Sequence, residues 1–257
     1  MSSVYLPVFV QNALEDNLEM LPAIHRGASL RSVLAFCQNF RIAAIGKLLI
    51  GGSPAQFRHH LHQSGRAFAH FLASAPEDAK LGSKTMPFFD AVAAGDLEAA
   101  EIIARHSRRG WRQGKEYPED FYFPEFLMQH AFLGAPVAER EAMLQRYEQA
   151  LEGSEDLRLD VCQALLAGDS DAFDEALRLY LESRNDEWAE LVESETLAPE
   201  AAATEGHVSV EGLALVRLAE RQGLRTEPDY LHVPSLGRRG RAPSFEADSW
   251  LRIDVAP

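Results

Sequence analysis

AVAAGDLEAAE, Ala91–Glu101, returns seventy-three residues later as ALLAGDSDAFDE, Ala164–Glu175. In each copy an apolar run meets glycine, and aspartate follows. Glycine enters the left-handed conformation that closes a helix without steric cost. The next residue, Asp96 or Asp169, is a good N-cap, because its carboxylate accepts from the free amides of a new helix. An acid then occupies the second helical position, Glu98 or Asp171, where the helix dipole favours negative charge. The small residues Ala91 and Ala94, and Ala164 and Ala167, let two helices approach closely. Each AGD is therefore a tight corner between antiparallel helices, and capping accounts for both aspartates without catalysis. Two such corners predict an all-α chain of repeat-like helical hairpins.

Working outward, helical periodicity dominates. Helices are predicted near 8–22, 30–48, 57–71, 86–94, 97–108, 119–132, 137–151, 156–167, 185–197 and 208–222. A further stripe runs through Phe173, Ala176, Leu177, Tyr180 and Leu181. The segment VSVEGLALVRLAERQ, 208–222, is apolar over more than half its circumference and reads as the most buried helix. Beyond 226, Pro228, Pro234, Pro243 and Pro257 surround GRRGR, which predicts an irregular tail with a short extended piece at Trp250–Val255. The expectation is one domain over 1–257, a multi-helix antiparallel bundle with 226–257 as a mostly irregular extension. Arg108–Pro118 and Ala198–Gly206 are its joints.

The chain has 257 residues, 46 % of them apolar, enough to bury a real core. Its formal charge is −14, spread unevenly. Residues 116–205 hold 5 basic and 23 acidic side chains, whereas 1–115 hold 13 and 9. Such a surface repels nucleic acid and anionic lipid and attracts basic partners. No apolar run approaches the ~18–20 residues that span a bilayer, and the N-terminus lacks a basic region of the secretory kind. Cys37 and Cys162 lie inside apolar helical patterns and read as reduced core residues of a cytoplasmic protein.

The chain has no G-x-S-x-G, P-loop, H-E-x-x-H, C-x-x-C or G-x-G-x-x-G. In HHLH, Leu61 faces the core, which puts His59, His62, Arg66 and His70 on the opposite, polar face. His59 and His62 are one turn apart, as two metal ligands would be, but Arg66 beside them and the lack of a nearby acid favour a solvated or partner-facing row. Glu211, on the apolar helix, needs a partner if buried, with Arg217 or another arginine to supply it. Arg105–Arg112 is basic enough to meet a helix C-terminus or the acids of the middle segment. Arg238, Arg239 and Arg241 form a second basic patch. In the acidic stretch Asp169–Glu195, Asp186, Glu187, Glu190 and Glu193 surround Trp188, and these five are the candidate partner-binding residues. The competing reading turns Trp188, Leu191 and Val192 toward the core.

Four segments carry a family resemblance. They are FRIAAIGKLLIGGSPAQFRHHLHQSGRAFAHFL (Phe40–Leu72), FFDAVAAGDLEAAEIIA (Phe88–Ala104), ALLAGDSDAFDEALRLYLE (Ala164–Glu182), and VEGLALVRLAERQGL (Val210–Leu224) followed by PDYLHVP (Pro228–Pro234). Over roughly 10–235 the chain resembles the immunity protein 49 family of bacterial polymorphic toxin systems. The resemblance implies a mainly helical protein that neutralises a cognate toxin by binding it, with no enzymatic activity; from the residues themselves, no cofactor or metal is expected. It brings no catalytic motif to carry over. A tetratricopeptide-like scaffold, with a regular array of helix pairs, is the alternative, and a helical metal-dependent enzyme using the histidine row is a further one.

Overall fold

The computed structural model describes residues 4–238 and 246–255. It is 71% helical and has no strand among those residues. The helices are α1 (Leu6–His25), α2 (Leu30–Gly51), α3 (Pro54–Ser74), α4 (Met86–Ala94), α5 (Leu97–His106), α6 (Pro118–Met128) and α7 (Val137–Ala150). They continue as α8 (Leu157–Ala167), α9 (Ser170–Glu193), α10 (Pro199–Ala203), α11 (Val210–Gln222) and α12 (Ser235–Arg238). A π turn, Gln129–Leu133, extends α6.

Both corners form as their residues dictate. Gly95 takes φ +86° after α4, and the Asp96 amide donates back to the Ala91 carbonyl at 2.9 Å. The Asp96 carboxylate then accepts from the Ala99 amide at 3.0 Å and starts α5. Gly168 takes φ +67° after α8, the Asp169 amide donates to Ala164 at 3.2 Å, and its carboxylate caps α9 through Asp171 and Ala172. The hairpins are unequal. Helix α4 has 9 residues and α5 has 10, whereas α8 has 11 and α9 has 24. The regular array expected of a tetratricopeptide-like scaffold is therefore missing from these pairs.

One hydrophobic cluster runs from Val10 on α1 to Trp250 near the C-terminus. Its centre is α3, which is buried along most of its length against α2, α4 and α5. Gly65 permits a close crossing of α3 and α4: a Cβ there would lie 2.7 Å from that of Ala91. Helix α11 was expected to be the most buried, but α3 buries more residues, because polar side chains on its other face are covered too. Helix α2 is long and apolar enough to cross a membrane by length and composition; here α1 and α3 pack against it. Its Arg41 is buried, with ion pairs to Asp90 at 2.7 Å and Glu205 at 3.2 Å. Cys37 and Cys162 are free and buried.

Two expectations fail locally, and a third is described only in part. The stripe at 173–181 and the helix predicted at 185–197 are one continuous helix, α9, since nothing between them breaks it. Trp250–Val255 is not extended from its start: Ser249–Leu251 form a 3-10 turn that buries Trp250. Arg238, from the second basic patch, pairs with Glu220 at 3.0 Å; Arg239 and Arg241 lie outside the described residues.

Candidate functional site

Helix lengths create a concavity beside α9. In an antiparallel hairpin, 11 residues of α8 can support only the first half of α9. Buried positions on α9 accordingly stop at Leu181, and the last three turns overrun the hairpin. The overrunning half, the N-terminus of α6, the α7–α8 loop and the start of α11 enclose a cleft of about 760 Å³.

Its floor is ionic. Glu211, in the first turn of α11, accepts from the Tyr180 hydroxyl on α9. Burial holds the Glu211 carboxyl above the usual carboxylate range, despite that bond and the positive charge of Arg158, Arg184 and Arg41. Of the partners the sequence offers, Arg217 points elsewhere and donates to the Gly237 carbonyl, and other arginines, Arg158, Arg184 and Arg41, supply the positive charge. Arg158 pairs with Asp156 at 2.7 Å and Asp120 at 3.2 Å. Arg184 lies over the Trp188 ring, 4.5 Å from its centroid, and donates to the Glu205 carbonyl at 2.8 Å. Its Nη1 is buried with no acceptor among the described residues.

The structure brings only part of the sequence-derived patch to this cleft. Glu187 and Trp188 line it. Asp186, Glu190 and Glu193 are exposed on the same half-helix but do not line it. The core-facing alternative fails for the neighbouring residues, because Leu191 is 37% exposed and Val192 51%. Trp188 is half-buried, under Arg184. Tyr180, Arg158 and Glu205 were missed as site residues. Tyr180 sat in an apolar stripe, and a hydroxyl in a stripe gives no signal until a buried acceptor faces it.

The histidine row has a different role from the one expected. His62 and Arg66 are buried, not on a solvated face. The acid that the local sequence lacks arrives from the first corner: Asp96 lies 2.5 Å from His62 Nδ1 and 2.6 Å from Arg66 Nε. Burial pushes its carboxyl up, but these two partners and the Ala99 amide outweigh that and hold it below the usual range. His59 is half-buried and His70 is exposed as expected, and the same stretch of α3 receives the C-terminal segment. His62 Nε2 lies 3.0 Å from the Glu246 carbonyl, and Gln63 donates to the carbonyls of Ser249 and Arg252, each at 3.0 Å. Trp250 packs among Phe36, His25 and His70. No group of three or more His, Cys, Asp or Glu placed to hold a metal occurs among the described residues. The basic patch at Arg105–Arg112 meets a middle-segment acid, Arg109 pairing with Glu125 at 3.2 Å.

A family model described as Immunity protein 49 matches residues 50–235, well over half of the chain. Neither a curated protein nor a solved structure matches it. The match takes in both corners and the whole lining of the cleft except Arg41; the segment docked on α3, 246–255, lies beyond it.

Proposed function

We propose that the chain, which belongs to the immunity protein 49 family, neutralises a cognate toxin in the cytoplasm by binding it, with no catalytic step of its own. The family match carries this reading. The distribution of charge supports a basic partner: residues 116–205 hold 23 acids against 5 bases, and this segment supplies α9 and most of the cleft wall. The overrunning half of α9 supports a partner-facing role for Asp186, Glu187, Trp188, Glu190 and Glu193, because burial in the core does not explain it. Binding alone is sufficient for inhibition when a partner covers a toxin's working surface, and interface acids then speed encounter.

Co-expression tests the reading. Cells producing the toxin domain encoded beside this chain should survive when the chain is present and die when it is absent. Failure to rescue, with the chain folded and expressed, would overturn immunity. Rescue accompanied by chemical modification of the toxin would overturn binding as its cause.

A further inference from the structure

We infer, resting on the immunity reading, that the cleft beside α9 is the seat of a positively charged polypeptide segment of the toxin, with an arginine or lysine side chain placed among Glu119, Glu155 and Glu187. The cleft's own cations are already engaged. Arg41 is held by Asp90 and Glu205, Arg158 by Asp156 and Asp120, and Arg184 by the Trp188 ring and the Glu205 carbonyl. Glu119, Glu155 and Glu187, in contrast, have no basic side chain within ion-pair distance among the described residues, although all three line the space. Negative charge therefore exceeds positive charge around the cavity, and the unbalanced part is at these three glutamates.

A second observation specifies a polypeptide rather than a bare cation. Arg184 Nη1 is buried in the α9 wall, one turn from Glu187, and has no acceptor among the described residues. A buried donor without a partner carries a desolvation cost that an incoming oxygen offsets. A basic segment brings both requirements at once: a cationic side chain for the glutamates and a backbone carbonyl for Nη1. An acidic peptide or a phosphate offers the oxygen but meets the excess of carboxylates. The half of α9 beyond Leu181 supplies the wall, and none of its residues is buried in the core.

The test pairs two probes. The first is the toxin domain encoded beside this chain, titrated against wild-type protein and the Glu119→Gln, Glu155→Gln, Glu187→Gln triple variant, with folding checked by circular dichroism. Removing the three charges should weaken binding by about tenfold or more, and Arg184→Met should weaken it as well. Binding unchanged in the triple variant overturns the cleft while leaving immunity intact. If the wild-type chain fails to bind the toxin, immunity falls. The second probe, a ten-residue arginine–glycine peptide followed through the Trp188 indole NMR signal, then decides the cleft alone. A salt-sensitive shift that the triple variant loses supports it. No shift, or a shift produced instead by a glutamate–glycine peptide, overturns it.

Discussion

Asp96 and Asp169 occupy the same place in the same three-residue corner, yet their surroundings differ. Asp169 is exposed and only caps α9, so Asp169→Ala should cost about 1 kcal/mol in urea unfolding. The Asp96 side chain is 6% exposed and also holds His62 and Arg66; Asp96→Ala should cost about 3 kcal/mol or more, because it strands buried charge. The sign with pH follows from the lowered carboxyl. Its stabilisation is complete above about pH 4, the unfolded value, and disappears as pH falls through the lower folded value. Asp96→Asn should therefore be destabilised at neutral pH and lose less further stability than wild type between about pH 4 and pH 2. Glu211 has the opposite sign. Its carboxyl is raised by burial, so the ionised form costs stability at neutral pH. Glu211→Gln keeps an acceptor for Tyr180, and its midpoint should match or exceed wild type at pH 7, an advantage that vanishes in acid. Capping by both aspartates was legible from spacing alone. The second job of Asp96 was not, because its partners lie thirty residues away on α3 and only the packing of α3 against α5 brings them together.

Elements were legible wherever apolar residues repeat at helical spacing between caps. α4, α5, α8 and α11 fall close to their predicted limits, since glycine, aspartate or serine marks their ends. α9 was read as two pieces because its apolar stripe ends at Leu181 while helix-forming residues continue to Glu193. Amphipathic pattern reports burial, and a helix that runs on into solvent loses the pattern without losing the hydrogen bonds. The polar face of α3 misled for the converse reason: His62, Gln63 and Arg66 are buried by residues far away in sequence. Two element-scale substitutions check this packing. Gly65→Ala places a methyl 2.7 Å from Ala91 and should cost about 2 kcal/mol by forcing α3 from α4. Trp250→Ala removes the anchor of the C-terminal segment and should cost about 3 kcal/mol, with faster hydrogen exchange in 246–255 and in the half of α3 beneath it. Unchanged exchange there would mean that the segment does not stay docked in solution.

At the scale of the molecule the governing quantity is the segregation of charge. The fold carries the acidic middle of the chain mostly on α6 to α9 and their loops, and six of its acids line the cleft, while the less acidic N-terminal part forms the tightly packed α1–α5 layer. The sequence showed the imbalance but not its concavity, which arises because α9 outlasts α8. A concentrated negative field acts over about 8–10 Å at physiological ionic strength and raises the rate at which a positively charged partner arrives in a productive orientation. It acts much less on the rate of departure, which short-range contacts set. The expected signature is therefore kinetic. With the toxin domain as partner, the association rate measured by stopped flow should fall by about tenfold or more between 20 mM and 500 mM salt, while the dissociation rate changes little. The triple variant at Glu119, Glu155 and Glu187 should start from a slower association rate and show a shallower dependence on salt. If association is flat with salt in the wild-type protein, the acidic surface is not steering the encounter, and the cleft carboxylates then act on the rate of departure alone.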